Sequence, residues 1–367
     1  MPVIDRKYPL TAEGWTPTLL TELLQDQRPG TRVEKVTVAE RNLYGEGMVS
    51  TAARLTLDLD YAGPTDLPRR VVVKIAQTVM PAQRLYENEV AFYARLRPEL
   101  EIEAPASFAG GFDAESGTQA LVMEDLRERG ISFPNVTIAV PLDSIRGLIE
   151  TLAWLHARFW QSPRFAGDLS WVQSHMAGPL HELFHDPTMF PAMIAEVVRT
   201  EQFKREMVER LGLTVEQLYD GFRAVQAHQA RLPQTLLHGD THIGNTYALP
   251  DGRGGLLDWQ LFSRGYCLHD VSYLLDPGLS VAERRTHERE LLGLYLDRLR
   301  AHGVANAPTP EEAWTEYRRA AVWNVYIGWL TTPVVNYGWE ISVMAHLRVM
   351  TAFEDLETAK LLASDPG

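Results

Sequence analysis

Cysteine is almost missing from this chain: Cys267 is the single one among 367 residues, which excludes an intramolecular disulfide and a thiolate metal cluster. That poverty suits a reducing, cytoplasmic compartment. Basic charge is also in short supply. Lysine and arginine total 35 against 48 acids, a net charge of −13, so a broad nucleic-acid surface is not expected. The leading segment MPVIDRKYPLTAEGW has neither the basic flank nor the apolar stretch of a signal peptide. No export is expected. Long apolar runs are missing as well: the most apolar stretch, 320–335, is interrupted by Asn324, Gly328, Thr331, Thr332 and Pro333. It falls short of the ~20 residues a spanning helix needs, and it reads as a buried helix with no membrane span. Neither an internal repeat nor a low-complexity tract is present.

What is there is enough apolar material, 45% of residues, for two cooperating cores. From residue 32 to about 125 the chain alternates β-branched runs with turns: VEKVTVAE, ARLTLDLD, RRVVVKIA and ALVMEDL. This pattern predicts an antiparallel sheet. One helix interrupts it over 82–96, with Leu85, Glu89, Phe92 and Leu96 at helical spacing. Glu89 therefore lies on an apolar stripe. Beyond residue 143 helical periodicity dominates, and SIRGLIETLAWLHARFW gathers Ile145, Leu148, Ile149, Leu152, Leu155 and Phe159 on one face. Further helices are expected near 189–211, 214–231, 281–303, 310–330 and 339–363, with strands and loops over 232–275. Strand character stops at 123–129, the expected hinge. The predicted class is α+β, with residues 1–125 forming a sheet-bearing lobe and 126–367 a helical one.

The densest chemistry lies in LLHGDTHIGNTYALPDGRGGLLDWQ, residues 236–260. His238 and Asp240 open it, Asn245 stands five residues after Asp240, and Asp258 follows the apolar pair Leu256 and Leu257. Phosphoryl transfer is mostly positioning and charge neutralisation. It needs hard oxygen ligands for Mg²⁺ and a carboxylate beside the attacking hydroxyl. Asn245 and Asp258 fit the first need as metal ligands, Asp240 the second as the catalytic carboxylate. Any one of them alone could be an ordinary turn residue. Their joint spacing is what carries the reading, because it matches the H-x-D-x-x-x-x-N pattern and the later metal-binding Asp of kinases.

Complementary parts stand earlier. Lys74 is a charge inside a buried-strand pattern, where an unpaired ammonium is costly. Glu89 is its expected partner, and Glu87 falls on another helix face. The turn LYGEGMVST offers Gly45 and Gly47, whose backbone N–H groups suit phosphates, although hairpins use glycine routinely. Asp270 reads as a helix cap or an anchor for the 236–260 loop. His156 reads as a core histidine bonded to backbone, and His242 as a residue facing solvent, an acceptor or a metal.

Together these residues resemble the aminoglycoside phosphotransferase and choline kinase superfamily, and most of all its ecdysteroid-kinase-like branch. The resemblance is carried by Lys74 in VVVKIA, Glu89 in NEVAFY, LVMEDL at 121–126, LAWLHARFW at 152–160, HGDTHIGN at 238–245 and LLDWQ at 256–260. It implies a two-lobed protein-kinase-like fold, ATP and Mg²⁺ as cofactors, and transfer of a phosphoryl group to a hydroxylated small molecule. It also implies that adenine bonds to the backbone around Met123, Glu124, Asp125 and Leu126. The chain departs from the family pattern in its sparse glycine loop.

Two other classes compete. His238, Asp240 and His242 form an H-x-D-x-H pattern that a metal-dependent hydrolase would use, but that leaves Lys74, Glu89, Asn245 and Asp258 unexplained. A kinase-like nucleotide-binding module without turnover is the third reading. For the acceptor, the acids of 310–345 are Glu311, Glu312, Glu316 and Glu340, the first three at an expected helix start and facing solvent. With Trp314, Trp323, Trp329, Trp339, Tyr317, Tyr326 and Tyr337 nearby, most of them core, an apolar alcohol fits better than a polycation.

Overall fold

The computed structural model describes residues 7–42, 52–77 and 83–364; Gly45 and Gly47 lie outside them. The chain divides into two compact units, Met1–Ile131 and Ser132–Gly367.

The first unit holds a five-stranded antiparallel sheet in the order β1-β2-β3-β5-β4. Its strands are β1 (Val33–Asn42), β2 (Ala52–Tyr61), β3 (Arg70–Gln77), β4 (Ser107–Asp113) and β5 (Thr118–Glu124). Strand side chains alternate between faces, so Val71, Val73 and Ile75 of β3 point one way, where they join Leu55, Leu57 and Leu59 of β2 in a buried cluster. Helix α1 (Pro17–Gln25) caps this face with Leu20, Leu23 and Leu24, and Thr16 accepts a hydrogen bond from the Leu19 N–H at its start. Lys74 has the opposite parity and emerges on the other face, where α2 (Gln83–Ala91) and the π-helical turn Phe92–Leu96 follow. Strand β4 was not among the expected strands. Its sequence, SFAGGFD, has no β-branched residue, and Gly110 sits so close to β5 that a Cβ would stand 2.3 Å from the Ala120 carbonyl oxygen.

The second unit is mainly helical. Its helices are α3 (Leu142–Arg158), α4 (Pro179–His185), α5 (Phe190–Thr200), α6 (Gln202–Arg210), α7 (Val215–Gln229), α8 (Leu268–Gly278), α9 (Val281–Ala301), α10 (Pro310–Trp323), α11 (Val334–Tyr337), α12 (Trp339–Asp355) and α13 (Thr358–Ser364). Capping boxes start α7, α9 and α10 through Thr214/Gln217, Ser280/Glu283 and Thr309/Glu312. Between α7 and α8 run four three-residue strands: β6 (Thr235–Leu237) pairs with β9 (Ser263–Gly265), and β7 (Thr246–Ala248) with β8 (Gly254–Leu256). Helix α3 packs on β8 so closely that a Cβ on Gly254 would lie 2.7 Å from Leu148.

The architecture is thus α+β, as expected. The apolar stretch is buried over 320–332, but it is not one helix: α10 gives way at Asn324 to a π-helical turn ending at Trp329, and Pro333 precedes α11. No helix among the described residues is long and apolar enough to cross a membrane. Within 232–275, expected to be strands and loops, α8 already begins at Leu268.

Candidate active site

In the first unit the central feature is the ion pair that the sequence suggested. Lys74 Nζ lies 2.8 Å from both carboxylate oxygens of Glu89, with side-chain exposures of 7% and 1%. Lys74 is mid-sheet, paired with Arg54 on β2 and Leu121 on β5, so its stem cannot swing. Glu87, on another face of the helix, is half-buried and bonded to Arg84 at 2.8 Å. Breaking a buried pair by removing one partner costs about 3–5 kcal/mol. Lys74→Ala and Glu89→Ala are therefore expected to couple by about 1–3 kcal/mol in a double-mutant cycle of unfolding free energies, with Glu87→Ala within about 0.5 kcal/mol of wild type. A cycle that closes to zero would reject the pair as a unit.

At the end of β5, Met123 is buried, and Glu124 accepts the Ala106 N–H and pairs with Arg129. Asp125 accepts the Arg127 N–H and holds its guanidinium at 2.7 Å. Burial pushes its carboxyl up, but Arg127 outweighs this and the net shift is down. Leu126 is buried at the start of the short helical turn Leu126–Arg129. The side chains of Glu124 and Asp125 are thus committed to arginines.

In the second unit, the residues singled out in 236–260 converge on one loop. Asn245 Nδ2 donates to Asp240 twice, to the backbone oxygen at 3.0 Å and to Oδ2 at 2.9 Å. An amide whose nitrogen is engaged this way presents its oxygen elsewhere. The β7–β8 hairpin brings the third member alongside: Thr246 faces Leu256, and the Leu257 N–H donates to the Asn245 carbonyl at 2.8 Å. Asp258 follows with φ of 59°, ψ of 71°. Left-handed backbone is uncommon for a residue with a Cβ and costs about 1–2 kcal/mol. Its occurrence at Asp258 marks a position held by its surroundings.

His238 has a role that spacing did not reveal. Its Nε2 donates to the Leu257 carbonyl at 2.7 Å, and its Nδ1 accepts the Asp240 N–H at 3.2 Å. The neutral Nε2–H tautomer satisfies both bonds, and burial lowers the ring's pKa in agreement. The imidazole thereby staples the Asp240 loop to the strand leading into Asp258, with Trp259 packed edge-on at 4.6 Å between centroids. Both its nitrogens are spent on backbone, so it is not available as a zinc ligand.

Asp270 is the anchor. Its carboxylate accepts the N–H groups of His238 at 2.7 Å and Gly239 at 2.9 Å, and its carbonyl accepts Thr241 Oγ1 at 2.7 Å. His156 braces it from behind at 3.1 Å, with Tyr295 on the other ring nitrogen at 2.8 Å. This corrects the expectation for His156: it is a core histidine, but its ring bonds side chains, because two polar groups buried with it need partners. Burial raises the Asp270 pKa, yet the His156 bond and the surrounding imidazoles outweigh it and the carboxyl stays below its ordinary value. Gly239 is obligatory between these contacts: its φ is +84°, and a Cβ would stand 2.0 Å from the Leu261 carbonyl oxygen.

His242 is buried, its Nδ1 accepts the Gly244 N–H at 3.2 Å, and burial pushes its pKa down to about 4. The ring lies among aromatics, 5.8 Å from Tyr273, 5.9 Å from Trp329 and 6.2 Å from Tyr337 between centroids. Among the described residues no group of three or more His, Cys, Asp and Glu is placed to hold a metal. Glu316 departs from expectation. It is buried rather than solvent-facing, bonded to Arg319 and to His228 at 2.9 Å, because α10 turns that face toward α7.

The two residues expected as metal ligands, Asn245 and Asp258, would offer a cation oxygen alone, an amide and a carboxylate. Such ligands suit a hard cation such as Mg²⁺ better than zinc, which favours nitrogen and sulfur donors.

The phosphotransferase enzyme family profile matches residues 61–318. Among solved structures, the chain is similar to the choline kinase LicA from Streptococcus pneumoniae, with 14% identity, 92% of this chain and 98% of that chain covered, and a TM-score of 0.47. A type I macrolide 2'-phosphotransferase shares 18% identity over 95% of this chain and 99% of its own, at a TM-score of 0.47. An aminoglycoside-3'-phosphotransferase of type VIII shares 19% over 82% and 96%, at 0.45. No curated protein matches the sequence.

Proposed function

This chain belongs to the phosphotransferase enzyme family, and from that premise we propose that it transfers the γ-phosphoryl group of ATP to a hydroxyl of a small, apolar organic molecule. The observation that carries the reading is Asn245 Nδ2 set 2.9 Å from Asp240 Oδ2, on a loop tied at both ends to the segment that carries Asp258. A hydrogen bond to one carboxylate oxygen fixes the plane of the Asp240 carboxylate. In that plane it accepts the acceptor's hydroxyl proton as the new P–O bond forms and the bond to the leaving ADP oxygen breaks. Asn245 and Asp258 would hold Mg²⁺, which supplies neutralisation of phosphate charge. Lys74, positioned by Glu89, would pair with the α- and β-phosphates, and the backbone at 123–126 would receive adenine.

The acceptor is proposed to be apolar because the rings of Tyr273, Trp329 and Tyr337 gather around His242, two residues from Asp240. Glu316, the acid nearest that expectation in sequence, is consumed by Arg319 and His228. The ecdysteroid-kinase-like branch remains the branch proposed. The hydrolase reading loses His238 to backbone bonds.

Two experiments test this. Acceptor-dependent ADP release should appear with hydrophobic alcohols and not with polycationic amino sugars at matched concentration; the opposite result would overturn the apolar assignment. Asp258→Ala should raise the Mg²⁺ concentration needed for half-maximal activity at least tenfold, and an unchanged Mg²⁺ titration would remove Asp258 from the ligand set.

A further inference from the structure

We propose that the second unit contains a binding site for a small oxyanion, with Arg264 as its cationic centre, distinct from the Asp240 loop. A cavity in this unit is lined by residues that include His175, Gln226, Gln229, Arg264, Tyr266 and His269. None of Asp240, Asn245 and Asp258 lines it.

Three observations give the cavity its chemistry. Arg264 is half-buried on β9, and among the described residues no carboxylate pairs with it; its one side-chain contact of note is the Phe165 ring, 5.7 Å from Cζ. In a chain with net charge −13, where most arginines have found an acid, a partly desolvated guanidinium without one is costly unless an anion completes it. Its Nε is buried without a hydrogen-bond partner. Second, His175 is 4% exposed and its Nδ1 has no partner, while Nε2 lies 3.3 Å from Ser263 Oγ. With the serine hydroxyl donating to Nε2, Nδ1 carries the proton and is a buried donor. Third, Gln226 is 7% exposed and lines the same cavity. Arg264 Nε and His175 Nδ1 are thus two buried polar atoms whose burial without a partner is unfavourable. An oxyanion offers acceptors to both, with Gln226 on the same wall.

The acid that reaches the same wall cannot serve. Glu316 touches Gln229 at 3.3 Å but is already bonded to Arg319 and His228. The wall also touches the machinery indirectly, since the His269 Nε2 donates to the Gly239 carbonyl at 3.1 Å. An anion seated here therefore lies one imidazole away from the residue preceding Asp240.

The experiment titrates the purified full chain with sodium phosphate, and separately with sodium malonate, at constant ionic strength made up with sodium chloride. Thermal unfolding and isothermal calorimetry provide the readout. A saturable rise in Tm with a measurable heat is expected in wild type and in Asp258→Ala. In Arg264→Gln the affinity should fall at least tenfold, and in Gln226→Leu, which keeps the arginine, by a smaller factor. If Arg264→Gln does not fold, Gln226→Leu and His175→Phe carry the test. Phosphate and malonate arms tell which oxyanion the cavity takes. Three outcomes would overturn the proposal: no saturable effect in wild type, an effect undiminished in the cavity variants, or an effect lost in Asp258→Ala. The last would place the anion at the Asp240 loop.

Discussion

Asp240→Asn is expected to lower the rate of phosphoryl transfer by about a hundred- to ten-thousandfold, the usual range for loss of a general base, while nucleotide affinity stays within about threefold. The substitution is nearly isosteric. It keeps an oxygen for the Asn245 amide, whose bond to the backbone carbonyl of residue 240 is untouched, so the loop has no reason to move. What disappears is the basic carboxylate. Turnover by single-cycle kinetics, with nucleotide binding measured separately, separates the two effects. A variant within tenfold of wild type would sink the assignment, and a matching loss of nucleotide affinity would move Asp240 among the nucleotide ligands. Unfolding should occur within about 2 °C of wild type, since a shift of a few degrees in a chain of this size already corresponds to about 1 kcal/mol.

Asp270→Ala is the second large effect, and it falls on stability as well as activity. The carboxylate is fully buried and accepts two backbone N–H groups and a histidine. Truncation leaves three buried donors unanswered at about 1–3 kcal/mol each, and a loss of about 3–5 kcal/mol is expected, a large share of ordinary net stability. Denaturant unfolding measures it, and a loss below about 1 kcal/mol would show that the loop does not depend on this anchor. The pH dependence has a definite sign. Because the folded-state pKa of Asp270 is lowered, its contribution is present above the unfolded carboxyl pKa of 3.8 and is lost as pH falls through the lower folded value. Wild type should therefore lose more stability than Asp270→Asn on acidification through that window.

Much of this site was legible in one dimension because its chemistry is local. Asp240 and Asn245 lie within one loop, so their spacing alone predicts that they meet. Lys74 in a buried-strand pattern demanded a counter-charge, and the helical stripe bearing Glu89 offered one, a deduction that needs only periodicity and the cost of a buried charge. Strand β4 escaped because its small residues carry no propensity; pairing with β5 across Gly110 creates it.

By itself, then, the sequence determined the alternation of strands and helices, the Lys74–Glu89 pairing between one strand and the next helix, and the meeting of Asp240 with Asn245 within one loop. Only the tertiary structure decided what histidines and acids far apart in the chain would do. His156 and Asp270 are more than a hundred residues apart, Glu316 meets His228 across two helices, and His238 has its nitrogens taken by Asp240 and Leu257. A titratable side chain announces its donors and acceptors in the sequence, but burial decides whether they must be satisfied. Packing then decides by which partner.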